Sequence, residues 1–231
     1  MKMNKNRRAF ATACAAATLS LFLGAPAAAA SDAAEAQVLV DKARATVKAF
    51  AGDKDYASMP GLLTKAKAVI VFPQVLKAGF VLGGSGGSGV LLVRDEKTGE
   101  FGQPAFYTMG SVSFGLQAGG SAAEVIMLVN TQKALDSMLT AKLKLGGEAS
   151  LAAGPKGGTA TSTVNADIVS YARAKGAFIG MSFDGAVLDV RDSLNQGYYG
   201  KAVSPVDILV KKEVSNKGSD ALRAALKQAA K

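Results

Sequence analysis

The amino-acid sequence predicts an α+β protein in a single domain, a curved or barrel-like antiparallel β-sheet with N-terminal, central and C-terminal helices. Three observations predict it. Between residues 68 and 190, strand-length segments that are either wholly apolar or alternating recur, separated by short glycine-containing turns. Apolar residues at helical spacing occupy both ends of that region. The same spacing interrupts the strands once, near residue 135. No internal repeat or linker divides the 231 residues, and a chain of this length suits one domain with a full core.

The elements follow in order. Residues 1–30 read as a secretory signal: Lys2, Lys5, Arg7 and Arg8 open it, an apolar run reaches Leu23, and Ala25–Ala30 offers small-residue cleavage positions. An exported protein, periplasmic or associated with the cell envelope, is therefore expected. Cys14 is the only cysteine and has Ala11, not a leucine-like residue, three places upstream, so a lipoprotein is not expected. Residues 31–56 form an N-terminal amphipathic segment with its helix over 32–50; Ala36, Val40, Ala43, Val47 and Phe50 share one face, and Asp41, Lys42, Arg44 and Lys48 take the rest. A short helix over Leu62–Lys67 follows Pro60 and Gly61.

The period then changes. Ala68–Phe72 is a continuous apolar run, the signature of a buried strand, and Gly79–Leu82 and Val90–Arg94 flank a glycine stretch. Phe106–Gln117 alternates, with Val112, Phe114 and Leu116 on one side and Ser111, Ser113 and Gln117 on the other. Val125–Val129 is a second buried strand. Thr131–Thr140 is a helix capped by Asn130 or Thr131, with Leu135, Met138 and Leu139 inward. Strands are expected over Lys142–Ala153 and Thr159–Arg173, joined by Gly154–Gly158, and over Ala177–Val190, with Asp184–Gly185 as a hairpin turn. Residues 211–231 hold the C-terminal helix, Ser219–Ala230, whose apolar face is Leu222, Ala225, Leu226 and Ala229.

Composition narrows the chemistry. Histidine is absent, which excludes Ser-His-Asp and Cys-His catalysis, histidine-ligated zinc and any imidazole proton transfer within this chain. Without residues 1–30 there is no thiol, and 23 basic residues face 18 acidic ones, a net charge of +5. That balance favours anionic surfaces but is too weak for a nucleic-acid arm. Metal-ligand spacing is not found, so no metal or other cofactor is expected.

The stretch VLGGSGGSGVLLVR (residues 81–94) matches two fingerprints, one phosphate-cradling and one of a serine nucleophile. Gly84, Gly86 and Gly89 fit G-x-G-x-x-G, and Gly83, Ser85 and Gly87 fit G-x-S-x-G. Both require a helix directly after the glycines, and strand-forming Val90–Val93 stands there instead. Gly84, Gly86, Gly87 and Gly89 are therefore read as structural, permitting a bulge, a bent hairpin or close backbone approach. Asp184 with Asp189 or Asp167 could form an acid–base pair, but the turn reading of Asp184 is better supported. Cations interleaved with apolar residues remain: Lys42, Lys65, Lys67 and Lys77 lie near Leu62, Leu63, Val75, Leu76 and Phe80, a pattern suited to a membrane interface or to an ordinary solvated basic face.

Several motifs occur together and in order: KAKAVIVFPQVLKAGFVLGGSGGSGVLLVR (65–94), PAFYTMGSVSFGLQAGGSAAEVIMLV (104–129), LKLGGEASLAAGP (143–155), SYARAKGAFIGMSFDGAVL (170–188) and YYG (198–200). With them the chain resembles the SYLF domain family, also catalogued as a fungal-type actin-binding domain, over residues 57–210. The resemblance implies a non-enzymatic module that binds anionic phospholipid, phosphoinositides in eukaryotic members, and it places Lys65, Lys67 and Lys77 on lipid-contacting positions; Lys42 and Arg94 are expected to join them as basic neighbours. It also implies a second possibility, a scaffold that binds protein partners through its sheet, as in actin-filament binding by eukaryotic relatives. Oligomeric state is not legible.

Overall fold

A computed structural model describes residues 25–79, 82–114, 119–140, 142–155, 165–175 and 183–231. The chain opens with helix α1 (Ala25–Ala51) and the short helix α2 (Met59–Leu63). Strands β1 (Ala68–Gly79), β2 (Leu82–Val93), β3 (Ala105–Phe114) and β4 (Gly119–Val129) lead to helix α3 (Gln132–Thr140). Then come β5 (Leu143–Lys144), β6 (Leu151–Ala153), β7 (Ile168–Lys175) and β8 (Val187–Val190), and helices α4 (Asp192–Tyr199), α5 (Pro205–Leu209) and α6 (Asp220–Ala229). The α+β expectation holds. Helix α1 begins seven residues before the expected start because Ala25–Ala30 is nearly pure alanine, the strongest helix former.

The eight strands form one sheet in the order β5-β8-β3-β2-β1-β4-β7-β6, antiparallel except for the parallel pair β6–β7. The strand expected over Lys142–Ala153 divides in two, and its halves lie on opposite edges of the sheet. Residues 145–150 alone join those edges, a chain length that spans at most about 25 Å. Eight flat strands spaced about 4.8 Å apart would put the edges about 34 Å apart. The sheet must curl, and it does, into a half-barrel. Asp167 holds the closure: Thr131 Oγ1 donates to its Oδ1 at 2.7 Å, and Ser150 donates to its Oδ2 from Oγ (2.7 Å) and N (2.9 Å). These hydrogen bonds hold the carboxyl down to about 2.

Both faces of the central strands are buried, which explains the unbroken apolar runs 68–72 and 125–129. Ile70, Phe72, Leu91, Tyr107, Met109, Val125 and Met127 face the inside of the curl, where one cluster joins them to Leu143 and Leu188 near one edge and Ile168 near the other. Helices α3 and α5 complete that side with Leu135, Met138, Ile208 and Leu209. Val69, Val71, Val90, Leu92, Phe106, Ile126 and Leu128 face out and are covered by α1, α4 and α6. The predicted apolar face of α1 is fully buried there, as is Leu222 of α6.

Helices α4 and α5 are additions to the expected set. Helix α5 is a short apolar turn that opens on Pro205 and a Ser204–Asp207 capping box, while α4 is polar and is placed by tertiary contacts. The carboxamide Oδ1 of buried Asn195 accepts the Phe106 backbone N–H at 2.9 Å. Gly197 lets α4 lie directly on α1, where a Cβ would stand 2.7 Å from that of Asp32. The Asp184–Gly185 turn is present, closed by Ala186 N donating to Phe183 O at 3.0 Å with Gly185 at φ +78°. The segment expected to pair across it lies outside the described residues, and so do 156–158 of the expected Gly154–Gly158 turn and 159–164 of the strand expected over Thr159–Arg173.

Candidate functional site

The glycine stretch is continuous strand β2, so neither fingerprint has the strand–turn–helix geometry it requires. Its purpose lies on the neighbouring strand. β1 carries a bulge at Pro73–Gln74, where its register shifts against both β2 and β4. The bulged backbone crowds β2: a Cβ on Gly87 would lie 2.2 Å from Gln74 O, and one on Gly89 would lie 2.6 Å from both Val71 O and the Phe72 ring. Gly84 and Gly86 are looser, with nothing nearer than a carbonyl at 3.4 Å. None of the four has a positive φ, so close approach, not left-handed backbone, accounts for Gly87 and Gly89.

Helix α1 lies across the outer face of the sheet at the level of this bulge. On one side of the crossing, α1, α4 and α6 cover the strands. On the other, β1–β4 run on as a four-stranded tongue with no helix over its outer face among the described residues. Register fixes what that face presents. One cross-strand row is Gly110–Gly86–Leu76–Ala122 and the next is Val112–Gly84–Ala78–Gly120. Over β1–β4 every residue is apolar or glycine, and Lys175 of β7 pairs with Ala122 at the end of the first row. Val112 is 77% exposed, Leu76 54%, and Val38 on the adjoining side of α1 51%.

Two open grooves line the corner between α1 and the tongue. One, of about 280 Å3, is bounded by Val38, Leu39, Pro73, Leu76 and Gly86; the other, of about 270 Å3, by Ala45, Thr46, Gln74 and Ala122. Lys42 borders both. The other charges at this corner are paired. Arg191 Nη1 bonds Glu35 at 2.8 Å and Ser88 Oγ at 2.9 Å. Arg173 bonds Glu124 (Nε to Oε2, 2.8 Å) and lies 5.7 Å from the centre of the Phe50 ring, while Thr46 donates to the other Glu124 oxygen at 3.1 Å. Lys42 makes no ion pair among the described residues.

The structure divides the predicted basic residues into two groups. Lys42 and Lys77 lie at the tongue end. Lys65, Lys67 and Arg94 lie at the opposite end of β1 and β2, about 30 Å away along the strand. There Lys67 is engaged by Glu96, whose carboxyl it holds below the usual range. Lys65 is exposed, and Arg94 is half-buried beside Phe101. Sequence reasoning included Leu76 among the apolar residues of a possible interface but missed Val38 and Val112 as surface residues. Alternation marked Val112 as apolar, but only the extent of helix cover shows that it faces solvent.

Among the described residues no group of three or more acidic, cysteine or histidine side chains is placed to hold a metal. No described helix is long and apolar enough to cross a membrane.

Fold and site together define a class: a curled α+β half-barrel whose conspicuous surface feature is an apolar ledge. A family model described as Las17-binding protein actin regulator matches residues 110–229, and the chain belongs to that family, Ysc84. It is 31% identical over 153 residues to LAS seventeen-binding protein 3 of Saccharomyces cerevisiae, covering 63% of this chain and 33% of that one. An SH3 domain-containing protein of Schizosaccharomyces pombe is 33% identical over 147 residues, 61% of this chain and 34% of its own. The human SH3 domain-containing YSC84-like protein 1 is 28% identical over 153 residues, 64% of this chain and 44% of its own. The chain thus spans about a third of the length of its fungal relatives. No solved structure matches.

Proposed function

We propose that this protein is a non-enzymatic module that binds the surface of an anionic phospholipid membrane through the tongue and the adjoining side of α1, on an exported protein at the cell envelope. The observation that carries the reading is the uncovered outer face of the tongue, apolar across four strands and bordered by Lys42. Exposed apolar patches of this kind mark interaction surfaces. Full burial of a Val or Leu side chain is worth roughly 1.5–3 kcal/mol. Partly exposed Leu76, Val112 and Val38 would therefore contribute about 1–2 kcal/mol each, and each lysine near anionic headgroups about 1 kcal/mol. The sum describes weak, reversible association.

Co-sedimentation with vesicles of graded phosphatidylglycerol content tests the reading. Binding should rise with anionic content and fall with salt, because charge attraction acts within a Debye length of about 10 Å at 0.1 M. Binding that ignores both would contradict it. A second reading, a scaffold that engages a protein partner on the same ledge, is favoured by the relatives named for binding Las17. Wild-type protein that leaves vesicles untouched would favour that one.

A further inference from the structure

We infer that the inner face of the tongue holds a binding site for a phosphate-type oxyanion, built from Lys77, Ser85, Ser111 and Ser121. Strand register places the four in a single row across four strands, Ser111–Ser85–Lys77–Ser121. Each stands two residues beyond the last member of its strand at the previous level, which is Met109, Gly87, Val75 and Ala123. Met109, Val75 and Ala123 belong to the buried interior cluster. The row therefore faces into the mouth of the half-barrel, where an apolar lining gives way abruptly to hydroxyls and one ammonium.

The hydrogen bonding within the row is incomplete. Ser121 is only 8% exposed, and its Oγ has no hydrogen-bond partner among the described residues. A buried hydroxyl in that state costs stability unless something completes it. Ser85 Oγ and Ser111 Oγ lie 2.7 Å apart, which uses one proton of the pair and leaves the other to donate. Lys77 is half-buried and makes no ion pair among the described residues. The row offers hydroxyl donors and a cation and no carboxylate, so it suits a ligand rich in acceptors and negative charge. Ser85 and Ser121 flank Lys77 on adjacent strands, about 10 Å apart at the backbone. Hydroxyls reaching inward from both could bracket a tetrahedral oxyanion with two bonds of about 2.7 Å, while the ammonium supplies the charge. The site lies on the face opposite the apolar ledge and does not depend on the membrane reading.

The oxyanion could belong to a soluble phosphate ester or to a lipid headgroup, and the experiment separates the two. Titration calorimetry with inorganic phosphate and glycerol 3-phosphate is run beside flotation on vesicles containing phosphatidic acid or, at matched charge, phosphatidylglycerol. Saturable binding of glycerol 3-phosphate supports the site for a soluble ester. A preference for phosphatidic acid alone supports it for a headgroup. In either case Lys77→Ala and Ser121→Ala should each weaken binding at least tenfold. Ser121→Ala should leave Tm unchanged or raise it, since it removes an unpaired hydroxyl, whereas a purely structural serine would lower it. Leu76→Asp, on the other face, should reduce vesicle association and leave glycerol 3-phosphate binding intact. No binding of any of these probes, or undiminished binding in both variants, would overturn the site.

Discussion

Alanine substitution at the four glycines of β2 turns the bulge geometry into a measurable contrast. At Gly87 the new methyl would lie 2.2 Å from Gln74 O, and at Gly89 it would meet Val71 O and the buried Phe72 ring at 2.6 Å. Carbon and oxygen do not approach closer than about 3 Å without displacement. At Gly87 only backbone can yield; at Gly89 the ring is fully buried and packed. Overpacking of this kind costs about 1–3 kcal/mol. In a domain of roughly 200 residues each kcal/mol lowers Tm by about 2–4 °C, so Gly87→Ala and Gly89→Ala should lose between about 2 and 12 °C. At Gly84 and Gly86 the methyl meets a carbonyl at an ordinary 3.4 Å, and alanine restricts the unfolded chain, worth about 0.4–1 kcal/mol in the other direction. Those two variants should melt at or above the wild-type temperature. Scanning calorimetry of the four proteins settles it. Equal losses at all four, or none at Gly87 and Gly89, would refute the close-approach account.

Further consequences concern the barrel closure and the helix cover. Asp167 has a folded-state pKa below its unfolded value, so it contributes stability above about pH 4 that is lost as pH falls towards 2. Asp167→Ala should therefore lower Tm at pH 7, with the difference from wild type narrowing as pH falls from about 4 towards 2 in a pH series of thermal melts. Asn195→Ala leaves the buried Phe106 N–H without its acceptor and should cost about 1–3 kcal/mol by urea denaturation. Ser85 lies inside strand β2 and not on the strand–turn–helix elbow that presents a serine nucleophile, and its hydroxyl bonds that of Ser111 on β3, so a fluorophosphonate probe should leave Ser85 unlabelled by mass spectrometry.

Local pattern revealed those parts of the fold that local pattern determines. The face of α1, the helix over 132–140 and the runs 68–72 and 125–129 were legible because burial repeats at the helical or sheet period. Thr131, one of two expected caps, accepts the Ala134 N–H at 3.3 Å. What stayed hidden depends on distant residues. Nothing near Leu143–Ala153 signals that its halves belong to opposite edges, because that follows from closure of the whole sheet. Helix α4 owes its place to Asn195 on β3 and to Gly197 under α1, neither of which is a helix signal. The site was divided in the same way. Interleaved cations and apolar residues were visible, but strand direction sends Lys65 and Lys77 to opposite ends. The Pro73–Gln74 bulge resets which side chains face in, and that brings Lys77 into line with Ser85, Ser111 and Ser121.

The tongue, and not the opposite end of the sheet, is the membrane-binding surface proposed for this protein. Flotation of three proteins with vesicles rich in phosphatidylglycerol at low salt tests it: wild type, the Leu76→Asp/Val112→Asp variant, and the Lys65→Glu/Lys67→Glu variant. All three should share one far-ultraviolet circular dichroism spectrum, because every substituted side chain is at least partly exposed. The account predicts that the tongue variant stays with the soluble protein while the Lys65/Lys67 variant floats with the vesicles as wild type does. Flotation of the tongue variant together with loss of the Lys65/Lys67 variant would contradict it.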